Sequence, residues 1–291
     1  MRRYSFIAVA ITAVMLVACG GAGSASPSPS SASPSPAIQG IDHPTGSTDV
    51  VLRLEEGGGF VPIWFLTTQA PTFTLYGDGT VVFRDIDVSF PEPRPDGTTV
   101  HPAFSTGRLD EAAVQELLEF AIGPGGLGLA RNGRYDHPNV ADASTSYFDL
   151  EAGGHKKRVE VYALDLQDPG VPDATARAAF RTLADRLRHF GGGVSVPPAD
   201  YVPERYRAVL FESEGPGAAA RPWPWTTISD ADFVADPDGL GLPRLAMTPE
   251  DIAVLGIDSP LGGVSGISVT SPDGTKTYLF SARPLFPDET S

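Results

Sequence analysis

The 291-residue chain has one cysteine, Cys19, and no second thiol to pair with it, so no internal disulfide can staple the fold. Stability has to come from a buried core. Basic residues are scarce as well: 21 Lys and Arg against 36 Asp and Glu give a formal charge of −15. A surface so poor in cations is ill suited to nucleic acid, whose phosphates are held largely by Lys and Arg. It is equally ill suited to lying flat on anionic lipid. A membrane-spanning helix needs about 20 apolar residues, and the apolar run at 6–17 is cut off at Gly20 and Gly21. The five histidines, at 43, 101, 137, 155 and 189, never fall at the i, i+4 spacing of a helical zinc site, and no metal ligand set is expected.

What is present begins with an address. Arg2 and Arg3 precede the apolar residues 6–17, which is the layout of an export signal. Small residues suit cleavage there, and a cysteine at the first mature position has a role only when it is modified. The run Leu16-Val17-Ala18-Cys19 resembles the lipobox of bacterial lipoproteins. That resemblance implies a signal peptide over 1–18, a diacylglyceryl thioether on Cys19 and N-acylation. The chain would then be held to the lipid bilayer through acylated Cys19, on the extracytoplasmic side of the cell membrane. Each buried methylene contributes about 0.8 kcal/mol, so two or more acyl chains hold a protein stably. Removing the signal takes away two positive charges and no acid, so −15 becomes −17.

Residues 19–47 read as the lipidated cysteine and a disordered linker. The tract SPSPSSASPSP and its Gly and Ala neighbours cannot bury enough apolar surface to fold. Its prolines favour extended polyproline II, giving a reach from about 25 Å as a coil to about 65 Å fully extended. An O-glycosylated stalk would use the same residues.

Beyond it the pattern predicts an α+β fold: an antiparallel sheet with packed helices, in two related units over 48–196 and 197–291. In the first, a strand at 50–54 precedes the glycines at 57–59, and two strands within 72–84 turn at Gly77-Asp78-Gly79. A helix capped by Asp110 buries Ala113, Val114, Leu117, Leu118 and Ala121 and stops at Gly123-Pro124. Strands at 144–150 and 158–164 make a hairpin around Gly153-Gly154. A second helix, capped by Asp173, carries the stripe Ala176, Ala179, Phe180, Leu183, Leu187 and Phe190. The second unit has a strand at 205–211, a capping box at Thr248-Pro249-Glu250-Asp251, and a hairpin turning on Pro272-Asp273-Gly274. The segment TLYGDGTVVFRD, a helix with VQELLEF, then Tyr135, Asp142 and Thr145 resemble a bacterial domain family of unknown function found in secreted and lipid-anchored proteins. That resemblance, over about 48–190, implies a sheet packed on helices and no known activity. A looser similarity joins Gly58-Gly59-Phe60 to the emfourin-type protease inhibitors.

Several motifs fit as text and fail as chemistry. The run Gly123-Pro124-Gly125-Gly126-Leu127-Gly128 matches a dinucleotide fingerprint but follows a helix instead of opening one, so no cofactor is expected. Gly263-Val264-Ser265-Gly266 has Ile267 where a nucleophile elbow needs its last glycine. Asp232, Asp236 and Asp238 miss the EF-hand register, leaving an irregular calcium loop or a solvated turn. Tyr135, His137 and Asp142 form the densest polar cluster, open to two readings: acid/base chemistry, or a loop fixed by hydrogen bonds. Trp223 and Trp225, set between prolines, either display their indoles or pack on the sheet. The expectation is a non-catalytic binding module for an envelope protein, peptide or glycan, with Trp223, Trp225, Tyr135, His137 and Asp142 as candidate binding residues. The alternatives are an envelope hydrolase and a protease inhibitor.

Overall fold

The computed structural model describes residues 40–61, 63–85, 91–167, 169–193, 198–213, 220–235 and 241–290. Cys19, its signal and the Ser/Pro tract lie outside them, as do Asp236 and Asp238. Chain order runs β1 (Val50–Gly58), α1 (Ile63–Leu66), β2 (Phe73–Tyr76), β3 (Thr80–Phe83), β4 (Thr99–Val100), β5 (Ser105–Arg108), α2 (Glu111–Ile122), β6 (Gly133–Tyr135), β7 (Ser144–Ala152), β8 (His155–Tyr162) and α3 (Ala174–Arg188). It continues with β9 (Ala199–Asp200), β10 (Tyr206–Glu212), β11 (Val234–Ala235), β12 (Pro243–Met247), α4 (Pro249–Ala253), β13 (Val264–Thr270) and β14 (Thr277–Pro284). The fold is α+β. One sheet has the order β6-β8-β7-β1-β2-β3-β5-β9, the other β11-β12-β10-β14-β13-β4. Pairing is antiparallel except between β6 and β8, which are parallel.

The period-two alternation of each strand decides what the larger sheet buries. On one face Leu52, Leu54, Phe73, Leu75, Phe148, Leu150, Val159 and Val161 meet Val114, Leu117, Leu118 and Ala121 of α2 and Phe180, Leu183, Ala184 and Leu187 of α3. Each such side chain contributes about 1.5–3 kcal/mol when fully buried. The opposite face is covered only in part: Tyr76 and Val82 pack with Phe104 and Phe286, while β1, β7 and β8 present charged side chains there. In the smaller sheet Tyr206, Ala208, Ile267, Phe280 and Ala282 form a second core with Trp225, Phe233 and Ile252 of α4.

The expected turns and two of the caps are present. Gly153 and Gly154 both have positive φ, 58° and 73°, the requirement of a two-residue hairpin turn, so β7 and β8 run up to it. Asp110 accepts from the Ala113 N–H at 2.9 Å, and Thr248 and Asp251 form the reciprocal capping box of α4. Asp173 does not cap α3. It sits in the left-handed region at φ 60° and its carboxylate turns to Arg131 at 2.9 Å instead. The α3 stripe also contains a residue that a hydrophobicity pattern leaves out: Arg177, 1% exposed, donates to the carbonyls of Tyr135, Tyr162 and Ala163.

The boundary expected at 196/197 does not separate the sheets. β4, from before it, is the edge strand of the smaller sheet, pairing Val100 with Val264 and Thr99 with Ser265. β9, from after it, pairs with β5 of the larger sheet. The linker is shorter than expected, because residues 40–47 already touch the body. The Ile41 N–H donates to the Gln115 side chain, and Gly153 N–H to the Asp42 carbonyl at 2.7 Å. The last residues act as a strap. Asp288 accepts from Arg53 at 2.6 Å and from the Tyr76 hydroxyl at 2.7 Å, while Glu289 takes a two-pronged bond from Arg283 at 2.8 and 2.6 Å.

Candidate functional site

The structure does not assemble Tyr135, His137 and Asp142 into one site. Tyr135 ends β6 with its ring edge-on to Phe180 at 5.0 Å, under the Arg131 guanidinium, and its hydroxyl accepts from the Arg131 N–H at 2.9 Å. His137 is 7% exposed; its Nδ1 lies 3.1 Å from the Pro138 carbonyl, and its Nε2 has no partner among the described residues. Asp142 is exposed at φ 57°, and it is its carbonyl that is used, accepting from the Phe60 N–H at 3.1 Å. Among the described residues no hydrogen bond or ion pair links any two of the three. The geometry is that of a hydrogen-bonded loop, fixed further by the Tyr162 hydroxyl between Val140 and Ala143.

Trp223 and Trp225 pack edge to face, 5.2 Å between ring centroids. Trp225, 6% exposed, lies against Phe280 and donates its indole N–H to the Asp251 carbonyl at 2.8 Å. Trp223 is half-buried and donates to Ile228 at 2.7 Å. Both N–H groups are satisfied locally, so the pair serves the second core and displays no open indole platform. Asp232 closes a capping box on Ser229, and among the described residues no three acidic, His or Cys side chains are grouped to hold a metal.

The open face of the larger sheet carries a feature the sequence reading missed. Register sets Arg53, Asp149 and Arg158 side by side across β1, β7 and β8, with Glu55, Tyr147 and Glu160 in the row beside them and Glu151 opposite Lys156. Asp149 accepts from Arg158 at 2.7 Å, Glu151 from Lys156 at 2.7 Å, and the Arg158 guanidinium lies 4.9 Å from the centre of the Tyr147 ring. Arg53, Asp149, Glu151, Lys156, Arg158 and Glu160, with Asn132 at the β6 side, line a groove of about 550 Å³. Arg53, Lys156, Lys157 and Arg158 stand against Asp149, Glu151 and Glu160, so the groove is close to neutral, with one cation in excess, on a chain of charge −15. The signal was available in the sequence as charge alternation on strands whose other face is apolar.

A second cluster lies where β4 joins β13. Ser265, a strand residue and no elbow, is 3.0 Å through its Oγ from His101 Nε2. Burial, with the Arg84 charge adding to it, pushes the His101 imidazole down to about 4. Such a group is neutral at pH 7 and a weak base, and turning it into an imidazolium next to Arg84 would be costly. Among the described residues no carboxylate is hydrogen-bonded to it. The pair has the atoms of a Ser-His arrangement without its energetics. Comparison with protein-family models, with curated proteins and with solved structures gives no match.

Proposed function

We propose that the chain is a lipid-anchored extracytoplasmic protein whose body is a non-catalytic binding module, taking a polar, near-neutral segment of envelope peptide or glycan in the groove on its open sheet face. The observation that carries the reading is the groove itself: Arg, Lys, Asp and Glu side chains close to charge balance, with Tyr147 beside them under Arg158, on a face that no helix among the described residues covers. Few, placed polar groups fix orientation while an aromatic supplies contact area. Anchoring through Cys19 rests on the lipobox resemblance; among the described residues no helix is long and apolar enough to cross a membrane. The hydrolase alternative is weakened by His101, held neutral beside Arg84, and by the dispersal of Tyr135, His137 and Asp142.

The test is binding to arrays of envelope-derived glycans and peptides by the Cys19→Ser chain. An Arg158→Glu/Lys156→Glu variant, which unbalances the groove while leaving the cores untouched, should lose the hits. Hits retained by that variant would place binding elsewhere. Phe60 favours a second reading, protease inhibition: it follows Gly58 and Gly59, both at positive φ, and stands 91% exposed. Inhibition of secreted proteases that disappears in Phe60→Ala would select it.

A further inference from the structure

We infer that Asn132-Gly133, at the β6 side of the groove, is a site of spontaneous modification in which the Asn132 amide becomes a carboxylate, so that the charge of the groove changes as the chain ages. The chemistry stands whether or not the groove binds; only its effect on a ligand rests on the proposed function. Asparagine is scarce, since the 291 residues hold two, Asn132 and Asn139. Both are exposed. Only Asn132 is followed by glycine, the one residue with no side chain to shield its own main-chain nitrogen from the preceding amide carbon.

The fold leaves this pair open and polarises it. Gly133 begins β6 at φ 106°, and a Cβ built there would meet nothing within 4 Å, so the space beside the reacting nitrogen is free on that side. Asn132 Oδ1 accepts from the Arg158 N–H at 3.1 Å, which draws electron density from Cγ and would hold the negative charge that Oδ1 gathers during attack. The leaving nitrogen is held loosely: Nδ2 lies 3.5 Å from the Lys156 carbonyl, at the limit of a hydrogen bond. Lys156, Lys157 and Arg158 line the same groove, and their positive field favours a main-chain nitrogen anion first and a carboxylate afterwards. Asn139 differs at the decisive atom. It is followed by Val140, whose stiff branched side chain crowds the nitrogen.

In the reaction, solvent base takes the Gly133 N–H proton and the nitrogen bonds to Asn132 Cγ. The Cγ–Nδ2 bond then breaks, and Nδ2, taking a proton from water, leaves as ammonia. Water opens the resulting five-membered imide. Cleavage at Cγ gives an ordinary aspartate; cleavage at the main-chain carbonyl gives the iso form, with an extra methylene in the main chain. Nothing is oxidised or reduced, and water is the only co-reactant. Either product sets a fourth acid against the groove's four cations, where the parent has Asp149, Glu151 and Glu160 against Arg53, Lys156, Lys157 and Arg158. The aspartate can keep the bond from the Arg158 N–H. The iso form lengthens the main chain where β6 starts its parallel pairing with β8, Gly133 against Val159.

The experiment incubates the full chain carrying Cys19→Ser at 37 °C, folded at pH 6 and at pH 8 and unfolded in guanidinium chloride at pH 8. Both asparagines are followed by peptide mass mapping, and an isoaspartyl methyltransferase counts the iso form. In the folded chain Asn132 should convert at least about tenfold faster than Asn139, a barrier lower by about 1.4 kcal/mol. Its rate should rise from pH 6 to pH 8, because the nucleophile is the deprotonated nitrogen, and should stay within about tenfold of the rate in guanidinium chloride. Asn132→Gln should remove the mass gain. No ligand enters the measurement, so its result is independent of whether the groove binds. A smaller lead over Asn139, or an Asn132 that persists in the folded chain while converting in guanidinium chloride, overturns the site.

Discussion

Lys157 extends its ammonium to three carbonyls at once, those of Leu127, Gly128 and Ala130, at 2.9, 2.8 and 2.7 Å. The glycine run after α2, which has the letters of a nucleotide-binding loop, is in this way turned inward onto a side chain of β8. Lys157→Met keeps the length and removes the charge, and should lower stability by about 1–3 kcal/mol in urea unfolding, the cost of leaving part-buried acceptors without donors. His101 gives a second prediction at this scale. Its folded-state affinity for protons is depressed, so the unfolded chain binds the extra proton between about pH 6.5 and about pH 4. Stability from this residue is therefore complete above about pH 6.5 and is lost as the pH falls toward about 4. At about 1.4 kcal/mol per tenfold change in affinity it is capped near ~3 kcal/mol. His101→Gln should flatten that part of the curve, leaving the loss at lower pH to carboxylates. Among those is Glu289: burial, the largest single influence, would raise its carboxyl, but Arg283, the Phe286 N–H and Arg207 together hold it below the ordinary range.

Helix ends separate what local sequence encodes from what tertiary contacts decide. Asp110 caps α2 because its oxygen reaches the Ala113 N–H; Asp110→Ala should cost about 1 kcal/mol. Asp173 occupies the same position before α3 but has φ 60° and an exposed ion pair to Arg131. Asp173→Gly removes a weak surface pair and relieves a left-handed backbone, so the two effects offset and stability should stay within about 0.5 kcal/mol of the parent. Thermal unfolding of the two variants checks the contrast. The hairpins at Gly79, Gly153-Gly154 and Gly274 were legible because a turn that needs positive φ selects glycine. The pairings of β4 with β13 and of β9 with β5 were not legible. Each strand is two residues long, and its partner lies far away in sequence, so neither composition nor periodicity marks it. Sites suffered in the same way. The polar letters around Tyr135 and His137 stood out in sequence, but strand parity and Phe180 turn Tyr135 inward, and His137 is buried beside it in the chain. The groove residues look like an ordinary solvated strand face until register sets three strands side by side.

At the scale of the whole molecule, the C-terminal strap and the exchanged strands make one cooperative body from the two expected units. Phe286 fills the core under Tyr76 and Val82 while Asp288 and Glu289 neutralise Arg53 and Arg283. Removing residues 287–291 leaves those buried cations unpaired and should cost about 3–5 kcal/mol. Loss of a single cooperative urea transition, or a shift to a lower midpoint, reads it out. The N-terminal arm meets this body beside α2 and the Gly153-Gly154 turn, through Ile41 and Asp42. That places the arm's entry at the end of the larger sheet opposite to Phe60 and the Asp142 loop. Membrane partition of the full chain against Cys19→Ser tests the proposed anchoring most directly. The account predicts that the parent sediments with membranes and takes up labelled palmitate, whereas Cys19→Ser is soluble and unlabelled. Membrane attachment unchanged in Cys19→Ser would contradict it.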